Sequence, residues 1–478
     1  MTTFSNRAIL SFVVLFGFFA RAATFKSPLL DHHAWRQADT ASIARNFYRE
    51  RFNILYPQID GRGASATGYV ETGLELFAFV VAAIAKAVSF HTEIGRLLSA
   101  LLFLCSALLV WTFVKGRDGP RCAIVAAFLY AFGFPLALYI ERAFMNEALL
   151  ICLSLVCLVS AQRYLALGKR LALVSLIAAS ALVGMVKLPY LIVWAPIVGL
   201  FVEVDGARIW RRWELWLMVA IDLIAVAWWY FHAHQLGLAT GLTFGMTDKL
   251  FDARLVLSPS FLSVLVMRLL KDVLGPVGMI GVACGVWFAV RERRWCDLFA
   301  VGGFTAYLVL VAKGNYVHDY YQLVFMPIAP SLAAFGLVRL SESIPVALHA
   351  LRGGHLLVWA MGIAAAATFI RSASFHSWYD YSTSEIELCD TVRGLTLPTD
   401  RVVFVGNNDP KLLFCIDRRG WLFPSFEADE SHLRSAWNAG ANFAIVPDSV
   451  QDTGVRRFLA DVGPPVLRRH DVEVFRLR

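Results

Sequence analysis

The chain has 478 residues, 58% of them hydrophobic and 17% charged, with a formal net charge of +8 at pH 7 and a mean hydropathy of +0.60. A soluble domain of this size needs far fewer apolar residues, and here they fall in long runs, so the composition excludes a soluble globular enzyme and indicates a polytopic membrane protein. The positive charge lies mainly in short loops between apolar runs, where it reads as a topology signal, and it calls for no nucleic-acid partner.

The first apolar run, from Ala8 to about Ala23, has no clean small-x-small cleavage site at its end and is flanked there by Arg21 and Lys26, so it is expected to stay as a first span. Asp31-His-His-Ala-Trp-Arg-Gln-Ala-Asp39-Thr follows, and ionisable groups beside a span usually mark chemistry. Further apolar runs of roughly 16 to 20 residues predict spans near 97–114, 123–140, 148–165, 171–186, 188–203, 215–232, 275–290, 297–312, 323–340 and 355–370. Residues 72–90 decide the topology. If they span, Lys115–Arg121 faces outward and the positive-inside rule fails; if they lie along the interface or re-enter, loops 115–121, 168–170, 208–212, 291–294 and Arg352 are all cytoplasmic. The second reading gives eleven spans over residues 1–370, with a first outer loop at 25–96 that carries juxtamembrane helices.

After residue 370 charged residues and short strands take over. Arg401–Val405, Asn442–Val446 and Val472–Leu477 are strand-like and Glu430–Ala439 is helix-like, which predicts a soluble α/β domain over 371–478 on the outer face, as an accessory lid or docking module. Gly406-Asn-Asn-Asp is only a turn, without the spacing of a phosphate-binding glycine loop. Six of the eight cysteines lie in or beside spans and act as small apolar residues. Cys389 and Cys415 lie in the soluble domain, either as a disulfide of an oxidising compartment or as two buried thiols. No Cys or His spacing suggests structural zinc.

This topology gathers the acidic and histidine-bearing junctions on the outer face. Asp31 and Asp39 flank Trp35 and Arg36; Ala38–Glu50 can form an amphipathic helix with Ile43, Phe47 and Tyr48 on its apolar side. Arg36 and Asp39, three apart, can pair, which would serve either a site or a simple interfacial anchor. Glu71, Glu147 and His318-Asp319 return to the same face, with the turn at Lys187 and the loop Lys313–Gln322, and this convergence predicts a site there. Glu75, one turn beyond Glu71, reads as an ordinary interfacial charge. His32, His33, His232 and His234 stay unassigned. The acidic cluster can hold a divalent cation, but no fixed metal-ligand spacing is present and no cofactor is certain.

These residues carry a resemblance. The acidic, aromatic outer loop after a first span, the segment Gly-Tyr-Val-Glu71-Thr-Gly-Leu-Glu75 opening an apolar helix, and Arg142-Ala-Phe-Met-Asn-Glu147-Ala-Leu-Leu resemble the GT-C superfamily, more narrowly the bacterial relatives of protein O-mannosyltransferases and lipid A aminoarabinose transferases. Trp35–Tyr48 and Asn315-Tyr-Val-His318-Asp-Tyr-Tyr321-Gln are similar to segments of that group, and the resemblance covers roughly residues 1–340.

The resemblance implies an inverting glycosyltransferase that uses a polyprenyl-phosphate-linked sugar donor and an envelope acceptor (lipid, glycan or protein) at the outer face of a bacterial inner membrane. An acceptor hydroxyl needs a carboxylate to take its proton, and the departing phosphate needs cations. Relatives often carry an Asp-Glu pair where this chain has Arg36-Gln37, so register alone does not choose the base: Asp39 is favoured slightly over Asp31. Glu71 and Glu147 match the family's acidic positions, Glu147 also suiting a helix N-terminus. Lys187 matches a basic position and would contact the lipid phosphate or anchor at the interface, with Arg36, Arg142, His318 and Tyr321 as further substrate contacts. Two rivals stay open: a lipid or glycan transporter, though charges here cluster at one face instead of mid-span, and a non-catalytic assembly scaffold.

Overall fold

The computed structural model describes residues 3–63, 67–245, 247–344, 354–374, 376–406, 408–424, 429–469 and 471–478; Arg352 and Asn407 lie outside them. Its helices are α1 (Thr3–Ala22), α2 (Ala34–Arg49), α3 (Leu76–Val88), α4 (Thr92–Phe132), α5 (Pro135–Ile140), α6 (Glu147–Leu167), α7 (Arg170–Val186), α8 (Trp194–Asp205), α9 (Trp213–Thr240), α10 (Ala253–Val256), α11 (Pro259–Arg268), α12 (Gly275–Glu292), α13 (Trp295–Leu310), α14 (Ala312–Val317), α15 (Ala329–Ser343), α16 (Gly354–Ser374), α17 (His376–Tyr379), α18 (Thr383–Leu395), α19 (Lys411–Ile416), α20 (Glu430–Asn438) and α21 (Thr453–Val462). The strands are β1 (Arg401–Gly406), β2 (Arg419–Pro424), β3 (Phe443–Pro447), β4 (Leu467–Arg469) and β5 (Val472–Arg476).

Each of the eleven expected apolar runs contains helix. Among the described residues five helices are long and apolar enough to cross a membrane, or up to seven if each of two bent pairs is one span. The chain is an integral membrane protein. Length and composition thus account for up to seven crossings; of the other expected spans, the first lies on the 20-residue α1 and the rest are short or broken. α3, α7 and α13 are apolar but have only 13, 17 and 16 residues. The run 123–140 breaks between Phe132 and Pro135, and the stretch between the expected spans 215–232 and 275–290 holds the last turns of α9 together with α10 and α11.

Contacts divide the chain into two compact units, the first of Met1–Phe25, Arg96–Tyr230 and Gly245–His376, the second of Lys26–Gly95, Phe231–Phe244 and Ser377–Arg478. The first is a helical bundle. α12 and α15 touch backbone to backbone: a Cβ added at Gly281 would stand 2.8 Å from the carbonyl oxygen of Ala333, so this crossing admits no larger residue. Within α4 the chain breaks at Gly119 (φ 82°, ψ 175°) ahead of Pro120, a backbone that suits glycine. Basic residues near this break pair across the bundle: Arg117 with Asp297 (3.3 Å) and Glu203 (3.2 Å), and Arg294 with Asp118 (2.5 Å). The loops at 115–121 and 291–294 thus share one end of this unit. Arg21, expected as a flanking charge of the first span, is instead fully buried. It bonds Glu141 (Nη2 to Oε2, 2.7 Å), lies over the Phe103 ring, and Tyr130 donates to the second Glu141 oxygen, because a guanidinium out of water needs every donor engaged.

The second unit is built on a five-stranded sheet of order β2-β1-β3-β5-β4, in which β1 runs parallel to β2 and β3, while β5 is antiparallel to β3 and β4. Alternation along β1 sends Val403 and Val405 to a core shared with Leu433 of α20 and Phe458 of α21, and Val402 and Phe404 to one shared with Val392 of α18 and Leu413 of α19. The expected strands and α20 are present; β2 and β4 were not anticipated. β2, Arg-Gly-Trp-Leu-Phe-Pro, lacks strand alternation, and Gly420 lies so close to Val402 that a Cβ would collide with its carbonyl. The edge of β2 is covered: Arg62 N–H donates to Gly420 O (2.7 Å), and Gly420 N–H to Asp60 O (3.2 Å). Cys389 of α18 and Cys415 of α19 form a disulfide.

α2 is fastened to this unit by Arg45. Its guanidinium pairs with Asp60 and with Asp417 (2.7 Å), donates to Phe414 O and lies 4.4 Å from the Phe414 ring centre. Replacing it by Met leaves the buried Asp60 without its cation and is expected to cost about 3–5 kcal/mol. Arg49→Ala, which removes a half-exposed partner of the same Asp417, is expected to cost under about 1 kcal/mol. Thermal unfolding of the detergent-solubilised full-length variants checks the pair, and equal effects would refute the anchoring role of Arg45.

Candidate functional site

In the second unit the site is built around α2. His33 adopts φ 59° and turns the chain into a helix that begins at Ala34, so Trp35, Arg36 and Gln37 lie on it, a turn ahead of the expected start at Ala38. The helix is not an amphipathic interfacial one. Residues Gln37 to Phe47 are buried without interruption, polar ones included, because the polar side faces partners inside the unit: Gln37 Nε2 donates to Asp31 Oδ1 (2.6 Å), and Asn46 Nδ2 to Gln58 O (2.9 Å). Ile43 and Phe47 are buried as expected, and Phe47 meets Phe79 of α3 edge to face.

Asp39 is buried beside Arg36, and Ser42 Oγ donates to its backbone carbonyl. Arg36 reaches Glu75 (Nη2 to Oε1, 3.6 Å), and its guanidinium lies 5.1 Å from the Phe244 ring centre. Glu75 is almost wholly buried and accepts from Thr72 Oγ1 (3.0 Å), which makes it part of this cluster and not an ordinary interfacial charge. Glu71 sits in an extended segment held by Leu242 and Phe244, and its carboxylate faces His234 (3.2 Å). Burial pushes the Asp39 carboxyl from its ordinary 3.8 up to about 8; the negative charges of Asp409, Glu75 and Asp60 add to the rise, and Arg36 opposes it. A carboxyl that titrates this close to neutrality is suited to accept a proton during a reaction.

The first unit carries a second cluster. α6 runs out from Glu147 and α7 returns to Val186, which brings Lys187 back beside the start of α6, Nζ 2.8 Å from Glu147 Oε1. Three aromatic rings surround the ammonium, Tyr321 at 4.6 Å, Tyr320 at 4.9 Å and Tyr190 at 5.7 Å from centroid to Nζ. His318 lies against the rings of Tyr320 and Tyr321, at 5.2 and 5.3 Å. Arg142 is buried with its guanidinium 4.5 Å from the Tyr139 ring centre. A lysine held by one carboxylate and aromatic faces keeps N–H donors for an anionic oxygen.

Sequence reasoning thus named Glu147, Lys187, His318 and Tyr321, which the fold brings together, and missed Tyr190 and Tyr320. It named Asp31, Arg36, Asp39 and Glu71 of the other cluster and passed over Glu75 and Asp409. Glu75 had a usable signal, since an acid one turn from Glu71 at the head of an apolar helix is dear to bury; Asp409 lies hundreds of residues away and had none.

No family model and no curated protein matches the chain. Solved structures do. The chain is similar to ArnT from Cupriavidus metallidurans bound to undecaprenyl phosphate, with TM-score 0.71 and 15% identity, over 100% of this chain and 99% of that one. It is similar to the archaeal oligosaccharyltransferase AglB from Archaeoglobus fulgidus, in complex with an inhibitory peptide and a dolichol-phosphate, with TM-score 0.59 and 12% identity, over 94% of this chain and 70% of that one. Because the match to ArnT runs along nearly the whole of both chains, the chain has the fold of that structure.

Proposed function

We propose that the protein is an inverting glycosyltransferase that moves a hexosyl or pentosyl group from a polyprenyl-phosphate carrier to a lipid, glycan or protein acceptor at the outer face of a bacterial inner membrane. The observation that carries this reading is the buried Asp39 carboxyl beside Arg36 and Glu75, on a fold whose other members hold undecaprenyl phosphate and dolichol-phosphate. The Cys389–Cys415 disulfide supports an oxidising compartment for the second unit.

In this reading Asp39 takes the proton of the acceptor hydroxyl as its oxygen attacks the anomeric carbon. The bond from that carbon to the phosphate oxygen breaks on the opposite face, and the carrier phosphate leaves with the electron pair. Asp31 and Glu71 orient the acceptor. Arg36 offsets negative charge at Asp39. In the first unit Lys187, with Arg142, His318 and Tyr321, is the candidate contact for the carrier phosphate. Glu147 holds the Lys187 ammonium in place.

Asp39→Asn is expected to lower transfer about a hundredfold or more, and Asp31→Asn to lower it less, both with normal membrane insertion. Near wild-type transfer by both variants in a reconstituted assay would remove the chemistry from this loop and leave the transporter or scaffold readings. The rate should also rise with pH along a limb centred near 8, where Asp39 loses its proton. Arg36→Gln should move that limb upward and Glu75→Gln downward, since the first charge lowers and the second raises the Asp39 pKa. The same shift has a stability sign: Asp39 contributes fully below 3.8, and the contribution fades as pH rises through about 8, so Asp39→Asn should flatten the fall in melting temperature over that window.

Lys187→Ala should raise the apparent KM for the lipid-linked sugar more than that for the acceptor, by the loss of a charge-assisted contact of roughly 1.5–3 kcal/mol. Lys187→Arg should keep part of the activity, because the charge stays while the geometry changes. Unchanged donor kinetics in Lys187→Ala would reduce the lysine to a structural partner of Glu147.

A further inference from the structure

The second unit contains a cavity of ≈ 550 Å³, inside the range of small-molecule sites. Its wall gathers four guanidiniums from separate stretches of chain, Arg51, Arg62, Arg401 and Arg419, against two carboxylates, Glu50 and Asp400, which leaves two positive charges in excess. Both carboxylates are already engaged: Glu50 pairs with Arg419, and Asp400 accepts from the Leu397 backbone N–H (2.7 Å). Arg419 Nε is buried and has no hydrogen-bond partner among the described residues. Arg62 is buried too, and its Nη1 bonds carbonyls of Ile59 and Gly61. Burial above all, with the positive charges of Arg419 and Arg401, pulls its pKa down to about 10, against Asp60 and Glu50, which raise it.

None of these guanidiniums takes part in the transfer chemistry described above, and a cluster with two positive charges in excess in a cavity is relieved by an anion. Neutral polar groups share the wall: the Gln58 amide, the Thr399 hydroxyl and Tyr69, whose hydroxyl accepts from Arg51 Nη1 (3.2 Å). Such groups pair with hydroxyls. The combination fits a sugar and not a bare inorganic ion.

We propose that this cavity binds an anionic saccharide, a sugar that bears phosphate or carboxylate, as the recognition site for the acceptor. The acceptor role rests on the transfer reading; the binding site does not. The test is calorimetric titration of full-length protein in detergent with glucose 1,6-bisphosphate, with glucuronic acid as the carboxylate probe and glucose as the neutral control. Binding of either anion, weakened by added salt and by at least about tenfold in Arg51→Gln and Arg401→Gln, with no uptake of glucose, is the expected result. Arg51 is exposed and Arg401 half-buried, so these variants disturb the packing less than Arg62→Gln, whose side chain is buried. Displacement of the bound bisphosphate by nanodiscs of phosphatidylinositol 4-phosphate, against phosphatidylcholine controls, assigns the anionic sugar to a lipid; binding without displacement assigns it to a free glycan, and both outcomes keep the site. No anion binding, binding indifferent to the arginine variants, or equal binding of glucose would overturn it. Asp39→Asn separates the two readings, since it abolishes transfer and leaves probe binding unchanged.

Discussion

One buried guanidinium holds the helix that carries Asp39 against the rest of the second unit. Arg45 joins a helix near the N-terminus to Asp60 in the following loop and to Asp417 and Phe414, far along the chain. A cation in that position is costly to desolvate, and only several acceptors and a ring face together offset the cost. The arrangement therefore admits little slack. Because Arg45 is fixed, so is the rest of α2, and with it the position of Arg36 and Asp39 two turns earlier.

The environment thus created sets the state of Asp39. In water its carboxyl would be ionised at any neutral pH; among buried groups and the charges of Asp409, Glu75 and Asp60 it is protonated up to about 8, with Arg36 as the restraint. Asp409 belongs to the C-terminal stretch, so the sheet and its connections take part in tuning a group that lies near the other end of the chain. The first unit handles its charge differently. Lys187 meets Glu147 and three tyrosine rings, which hold an ammonium without neutralising all its donors.

Arg21 and Glu75 illustrate where local reasoning stops. A lone arginine at the end of an apolar run is usually a flank, and a glutamate at the head of an apolar helix is usually at an interface. Here each has a partner distant in sequence, Glu141 for Arg21 and Arg36 for Glu75, so each is buried. The same holds for β2, whose edge is completed by residues 60–62 some 360 positions earlier, a pairing no window of sequence contains.

The sequence by itself determined that this is a polytopic membrane protein with a C-terminal α/β module. It also singled out Asp31, Arg36, Asp39, Glu71, Glu147, Lys187, His318 and Tyr321, since apolar runs, strand patterns and ionisable groups beside spans are local in the chain. Only the tertiary structure decided that α2 is enclosed instead of amphipathic, that several expected spans are short or broken, that Cys389 and Cys415 are joined, and that Glu75, Tyr190, Tyr320 and Asp409 belong with the named residues. The physical reason is common to all of these. Burial and pairing of charge depend on which distant segments meet, and that is a property of the packed chain.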